Sequence, residues 1–426
     1  MRVAWGALAR VQPGSGRTRR SPIMRTVAEH LAACLEIARP AAPLDVVLLD
    51  AVGCVLAEDI IADIDLPSAD LAGLDGYAVM SAAVAEANEA TPVSLEVMDA
   101  VRAGDVRPTR LVPGAAVLID SGAPLPLGAD AVVPWMLTDR GQSRVQVRAA
   151  VSAGQNVRRR AGDVAAGTTV LPRGSRVSAR QIALLAGIGR YRVKVMPAPR
   201  VVIVSIGDEL VEPGQPRDPG DVFDANGHAL ASAVTDAGGR AFRVAAVPDE
   251  LSALAETIED QLVRADLVIT TGGLSAGQGD TVKEVLAPLG SVRFDAVAMV
   301  PGRQLGLGTV EDTPIFCLPG DPVTAQIAFE TFVRPVLRQI AGRRNLHRSS
   351  LPASISTGWH SPPGKREFVP VRLTGSPSRG YAAVPASPPG ATRLLGLARA
   401  NAIAVVPETT HTVVAGETLH CLLLDA

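Results

Sequence analysis

The chain has 426 residues, of which 47% are hydrophobic and 20% charged, with a formal net charge of −2. That length calls for several cores, and the balance excludes wholesale disorder, a basic nucleic-acid-binding surface and, at 3% aromatics, base-stacking platforms. No apolar run reaches the length of a membrane span, and four scattered cysteines (Cys34, Cys54, Cys317, Cys421) read as reduced thiols of a cytoplasmic protein rather than a zinc site or a disulfide framework.

Residues 1–23 are rich in Arg, Gly, Ser and Pro and lack the apolar core of a secretory signal. They are read as a disordered extension; an over-long start assignment fits the same composition, and a transit peptide is the weaker alternative. A helix begins after Met24, where Thr26 and Glu29 have capping-box spacing and Val27, Leu31, Leu35 and Ala38 recur at helical intervals. Strands are expected at 44–49 and 55–61, around Gly53. Short β runs punctuated by Gly and Pro follow from 68 to 160, at 93–98, 116–120, 131–133 and 144–151, and make a small β domain. A helix at 178–187 and a strand at 191–195 lead onward.

From Val201 the pattern alternates. Strands are expected at 201–205, 242–247, 267–271, 293–300 and 314–318. Helices are expected at 226–237, 251–264, 281–287 and 322–340. Apolar strands alternating with helices indicate a three-layer α/β domain on a largely parallel sheet. The remainder returns to short strands. The expected organisation is the extension 1–23, a linking domain of 24–67 with 161–198, a β domain at 68–160, the α/β domain at 199–346 and a C-terminal β domain at 347–426.

Three polar, glycine-rich loops follow strands of the α/β unit: Gly207-Asp208-Glu209-Leu210, the run from Gly272 to Asp280, and Pro319-Gly320-Asp321-Pro322. Ligands of open parallel sheets bind beyond the carboxyl ends of the strands, so the loops should converge on one crevice. Gly272, Gly273 and Gly277 allow backbone N–H groups close to an oxyanion, and Asp321 with Pro322 makes a helix start whose dipole favours an anion. Carboxylates Asp208, Glu209 and Asp280 beside a phosphate suggest Mg²⁺, and both Glu209 and Asp280 are expected in exposed loops. Taken singly, each feature has a plainer reading as a turn, a solvated acid or a helix cap. Elsewhere, Arg158, Arg159 and Arg160 read either as a solvated rim or as an anion clamp.

In their order along the chain these motifs resemble the molybdopterin molybdenumtransferase family, which includes the C-terminal domain of gephyrin. The segments that carry the resemblance are Asp75-Gly76-Tyr77-Ala78, Ser121-Gly122-Ala123-Pro124, Gly154 to Asp163, Gly207-Asp208-Glu209-Leu210, Thr271-Gly272-Gly273 with Asp280 and Lys283, Leu318-Pro319-Gly320 with Pro322-Val323, Arg366-Glu367-Phe368 and Leu397 to Asn401. The resemblance implies a molybdopterin-binding α/β domain flanked by small β domains, and an elongated homodimer with the active cleft near the subunit interface. The implied reaction converts adenylylated molybdopterin and molybdate, with Mg²⁺, into molybdenum cofactor and AMP. The implied partners are the adenylyltransferase and client molybdoenzymes; neither nucleic acid nor membrane is expected.

By motif match, Asp75, Glu209, Asp280 and Lys283 fall on functional positions, with Glu209 and Asp280 as metal ligands. Ser121, Arg158, Asp163, Gly272, Gly273, Ser275, Arg303, Pro319, Gly320 and Arg366 fall on substrate-binding positions. The family commonly carries Lys-Pro-Gly-Lys-Pro where this chain has Val300-Pro301-Gly302-Arg303-Gln304, so a cation is lost at Val300. Leu71 to Leu74, Met136, Ser121 and Asp321 also depart from the usual pattern. Those departures leave a non-catalytic paralogue that binds molybdopterin or the finished cofactor as the competing reading. An unrelated nucleotide-binding enzyme is disfavoured, because neither a P-loop nor a GxGxxG follows the first strand.

Overall fold

The computed structural model describes residues 24–274, 280–289, 291–302 and 304–424. The extension 1–23, Ser275, Gly277 and Arg303 therefore lie outside the described residues. The chain forms two compact units, one of residues 43–196 and one that joins the N-terminal segment to 197–426.

The second unit is built on a six-stranded sheet in the order Arg240–Arg243, Arg200–Ser205, Leu267–Thr271, Thr313–Leu318, Gln304–Val310, Arg293–Ala296. The first four strands are parallel and the last two antiparallel. Both faces are covered, which is why these strands are continuously apolar. Val201, Ile203, Leu267, Ile269, Phe316 and Leu318 pack on one side with the helices Ala225–Ala237 and Pro322–Ala328, and Val202, Val204, Val268, Ile315 and Cys317 on the other with Leu251–Leu262 and Thr281–Leu286. Each such side chain contributes about 1.5–3 kcal/mol through burial.

The structure corrects the sequence expectation in four places. The strand Gln304–Val310 was not anticipated, because Gly306 and Gly308 interrupt its apolar pattern. They are required there: a Cβ at Gly306 would lie 2.6 Å from Cys317 Cβ and 2.6 Å from Phe294. Its hairpin turns on Glu311 and Asp312, both at positive φ (49° and 69°), the primed geometry that matches strand twist. The expected strand 293–300 divides, and Met299–Val300 pairs instead with Arg366 and Glu367 of the C-terminal sheet. The strand expected at 242–247 is observed earlier, at Arg240–Arg243. Finally, the helix Val27–Glu36 buries Val27, Ala33 and Cys34 in the α/β core beside Phe332 and Val336, so it packs with that unit and not with the linking segments.

The C-terminal segment adds a second six-stranded sheet (Met299–Val300, Arg366–Ser376, Gly380–Pro385, Ser350–Ile355, Thr418–Leu423, Ala402–Val406) with its own core around Ile355, Val371 and Ala404. In the 43–196 unit, a five-stranded sheet runs Ala131–Pro134, Gly76–Val79, Ala115–Ile119, Val93–Val101, Arg144–Val147. A smaller sheet of Leu44–Val47, Arg192–Met196 and Val55–Leu56 packs with the helix Ala179–Gly187.

Candidate functional site

At the carboxyl edge of the parallel strands, the three glycine-rich loops meet around a cavity of about 110 Å³. Glu209, Gly272, Gly320 and Pro322 line it together with Ser205, Thr271, Asp224 and Asn226. Glycine is obligatory at 272: φ is +90°, and a Cβ would sit 2.1 Å from the carbonyl oxygen of Ile206. Gly273 (φ +61°) would drive a Cβ to 2.7 Å from Val282. The Thr271 hydroxyl donates to the Pro319 carbonyl (3.0 Å), and the Asn226 amide donates to Thr271 Oγ1 (2.8 Å) and to the Gly320 carbonyl (2.8 Å). The two loops are thereby clamped together, and the carbonyls of Pro319 and Gly320 are already committed.

Asp224 and Asn226 were not among the sequence candidates. Asp224 is 1% exposed; its Oδ1 accepts from the Ser205 hydroxyl (2.9 Å) and the Gly227 N–H (2.8 Å), and Arg243 reaches Oδ2 at 3.2 Å. The same Arg243 bonds Glu212, which together with His228 holds the Glu212 carboxyl below its usual range. Asn226 stands four residues before Leu230 and eight before Val234 on the buried stripe of its helix. A polar residue on a core stripe is the signal that could have found it.

Of the acids expected to act, Glu209 is exposed at the cavity wall. Asp280, expected to be exposed, is instead 5% exposed. It caps the helix Thr281–Leu286 through the Lys283 N–H (3.4 Å) and forms an ion pair with the Lys283 ammonium. Burial follows from that double role, because a buried carboxylate needs partners. Asp208 turns away to accept from the Asp249 N–H at 3.0 Å. Asp321 caps its own helix through Thr324 (2.8 Å). A larger hollow of about 880 Å³ opens between Leu251–Leu262 and Thr281–Leu286; Lys283 also lines it, but against Glu256, Glu259 and Glu284, so the net sign is wrong for a phosphate-bearing ligand. Arg366 is half-buried and paired with Glu408 (3.0 Å), while Val300 lines a narrow crevice beside Glu367 and Phe368. Among the described residues no group of three or more His, Cys, Asp or Glu is placed to hold a metal.

In the 43–196 unit, three motifs meet on the short strand Leu71–Ala72. The Gly122 N–H donates to Ala72 O (2.8 Å), the Ala72 N–H to Ala123 O (2.9 Å), and Gly73 bonds Asn156 (2.7 Å) next to the paired strand Val157–Arg158. Most of Asp75-Gly76-Tyr77-Ala78 is structural. A Cβ at Gly76 would meet Val133 O at 2.0 Å, and Tyr77 is buried with its hydroxyl donating to Gly141 O (3.1 Å). Asp75 is exposed and accepts from the Ser121 N–H at 2.7 Å, so these two expected residues do come together. The arginine run divides in use. Arg159 pairs with Asp70 (2.8 Å) and Arg160 with Asp65 (2.6 Å), whereas exposed Arg158 makes no ion pair among the described residues. The Arg160 N–H and then the Arg159 side chain hold the Asp70 carboxyl below its usual range. Asp163 is exposed and, among the described residues, contributes only its backbone N–H, to Leu66 O (3.0 Å).

Comparison with known proteins agrees across the length of the chain. Family models match the MoeA N-terminal region (domains I and II) over residues 25–189, a probable molybdopterin binding domain over 202–339, and the MoeA C-terminal region (domain IV) over 352–424. Molybdopterin molybdenumtransferase 2 of Mycobacterium tuberculosis is 38% identical over 402 residues, spanning 93% of this chain and 98% of that protein. Molybdopterin molybdenumtransferase of Bacillus subtilis is 32% identical over 384 residues, 89% of each chain. The crystal structure of a molybdopterin biosynthesis MoeA protein from Pyrococcus horikoshii superposes with a TM-score of 0.80 at 30% identity, covering 95% of this chain and 100% of its own. With near full-length identity to such relatives, and with three domain matches in the order its motifs foretell, the chain belongs to the molybdopterin molybdenumtransferase family.

Proposed function

We propose that this protein is a molybdopterin molybdenumtransferase that takes adenylylated molybdopterin and molybdate to molybdenum cofactor with release of AMP. The observation that carries the reading is the cavity where Glu209, Gly272 and Gly320 meet at the strand ends, in a chain of this family. Its glycines admit an anionic ligand close to the backbone. The ammonium of Lys283, held over Asp280, supplies a cation at the same sheet edge. In the 43–196 unit, Asp75, Ser121 and Arg158 offer a carboxylate, a hydroxyl and a guanidinium to polar ligand groups, with Asp163 on the same unit as a further acid. Ser275, Gly273, Arg303, Pro319 and Arg366 are proposed as further substrate contacts.

Mg²⁺ keeps several waters and needs only one or two protein carboxylates alongside phosphate oxygens. The exposed Glu209 fits that requirement; Asp280 fits it less directly, since its carboxylate already faces Lys283. When bound, the ion would neutralise charge on the phosphate groups as AMP departs. The chain's own residues bind and orient the two anions against each other. We further propose a homodimer acting in the cytoplasm beside the adenylyltransferase and client molybdoenzymes; among the described residues no helix is long and apolar enough to cross a membrane. The test is AMP release by the purified protein from adenylylated molybdopterin, molybdate and Mg²⁺. Stoichiometric AMP with transfer of molybdenum to the pterin supports the assignment, and tight binding of the adenylylated pterin without AMP release overturns it.

A further inference from the structure

The chain has 41 basic residues and only three are lysines: Lys194, Lys283 and Lys365. Lys194 is exposed beside Glu58, and Lys365 lies in the turn before Arg366. Lys283 has a different setting. Its side chain is 25% exposed, its ammonium pairs with Asp280, and it donates to Gln304 Oε1 at 3.0 Å.

Gln304 opens the strand Gln304–Val310, which runs antiparallel to Thr313–Leu318, with Gly306 opposite Cys317. Its first residue therefore sits at the edge where the parallel strands end. Leu305 and Leu307 point into one core layer, so alternation puts Gln304 on the opposite face, the one that carries Cys317 and the helix bearing Lys283. The glycine at 306 leaves room on that face for Cys317 and Phe294, against which a Cβ would clash.

The two described acceptors of Lys283, Asp280 and Gln304, differ in kind. Asp280 neutralises the ammonium, whereas an amide oxygen orients it without cancelling charge. We infer that Gln304 is a positioning residue: its side chain holds the Lys283 ammonium at the sheet edge, pre-oriented for an oxyanion ligand. A long lysine left to sample rotamers would lose that orientation on every encounter. The inference rests on the transferase reading for its ligand, but the contact can be measured without turnover.

The experiment compares the full-length parent with Gln304→Leu and Gln304→Glu, with two readouts. Limiting acetic anhydride followed by peptide mass spectrometry gives the acylation rate of each lysine, with Lys194 and Lys365 as internal controls. Loss of a hydrogen bond to a charged group should speed acylation of Lys283 by about tenfold in Gln304→Leu, with the controls unchanged, and Gln304→Glu should keep it protected. In AMP-release kinetics, Gln304→Leu should raise the half-saturating molybdate concentration by about tenfold and move kcat by less than about twofold, while Gln304→Glu, which holds the ammonium but cancels its charge, should not restore the parental value. Unchanged acylation of Lys283, or equal acceleration at all three lysines, overturns the contact. Faster acylation with unchanged molybdate dependence overturns the positioning role. A parent that releases no AMP but shows the Lys283-specific change overturns the transferase reading and not the contact.

Discussion

Replacing Asp280 separates structure from chemistry, because its two carboxylate oxygens have different duties. Oδ1 caps the helix Thr281–Leu286 and Oδ2 faces the Lys283 ammonium. Asp280→Ala removes both. Loss of the cap costs about 1 kcal/mol, and removing the counter-charge of a mostly buried ammonium adds a similar amount, so about 2 kcal/mol is expected, or roughly 5 °C in the unfolding midpoint of the α/β domain. Asp280→Asn keeps an oxygen for the cap but turns an N–H₂ towards Lys283, so about half that loss is expected. AMP release should fall in both variants to a similar degree, by about a hundredfold or more, since both lack the charge that fixes the cation. Exposed Glu209 provides the contrast: Glu209→Ala should leave the midpoint within about 0.5 kcal/mol of the parent while AMP release falls strongly. Calorimetry and AMP-release kinetics on the same preparations decide the matter. An alanine variant as stable as the parent would refute the cap and ion-pair account. An asparagine variant with parental turnover would refute the role of the charge.

Arg158→Ala should leave stability unchanged and raise the half-saturating concentration of adenylylated pterin by about tenfold, while Arg159→Ala and Arg160→Ala, which break pairs with Asp70 and Asp65, cost up to about 1 kcal/mol with little effect on that concentration. Equal kinetic effects at all three positions would count against a special role for Arg158. Burial, then the charges of Arg25 and Arg293, push the His30 imidazole down from 6.5 to about 4. The unfolded chain therefore takes up a proton before the folded one does. Up to about 3 kcal/mol, fully present above pH 6.5, should be lost as pH falls towards 4, and His30→Leu should flatten that part of the urea-midpoint profile. Val300→Lys should lower the molybdate concentration for half-maximal AMP release by about tenfold, with Val300→Met as the shape control; equal gains in both would rule out an electrostatic cause.

The sequence by itself determined the class of the molecule and the whereabouts of its main site. Continuous apolar strands such as Val201–Ser205 and Leu267–Thr271 must be buried on both faces, and the polar loops after them then have only the sheet edge to occupy. Gly272 was legible for the same local reason, because a backbone at positive φ selects glycine. Tertiary structure decided how the charges there are used. Asp280 looked like an exposed loop acid; it is buried because a lysine one helical turn later points back at it, which spacing permits but does not demand. Arg158, Arg159 and Arg160 are identical in sequence, and only the placement of Asp65 and Asp70 commits two of them. Asn226 showed in the sequence only as a polar residue on a core stripe, and Gln304 was invisible as a site residue, since the partners of both lie on loops or helices brought close by packing. The contact between Gln304 and Lys283 depends on a hairpin whose glycines hide it from any periodicity, and on a helix from elsewhere in the chain packed beside it.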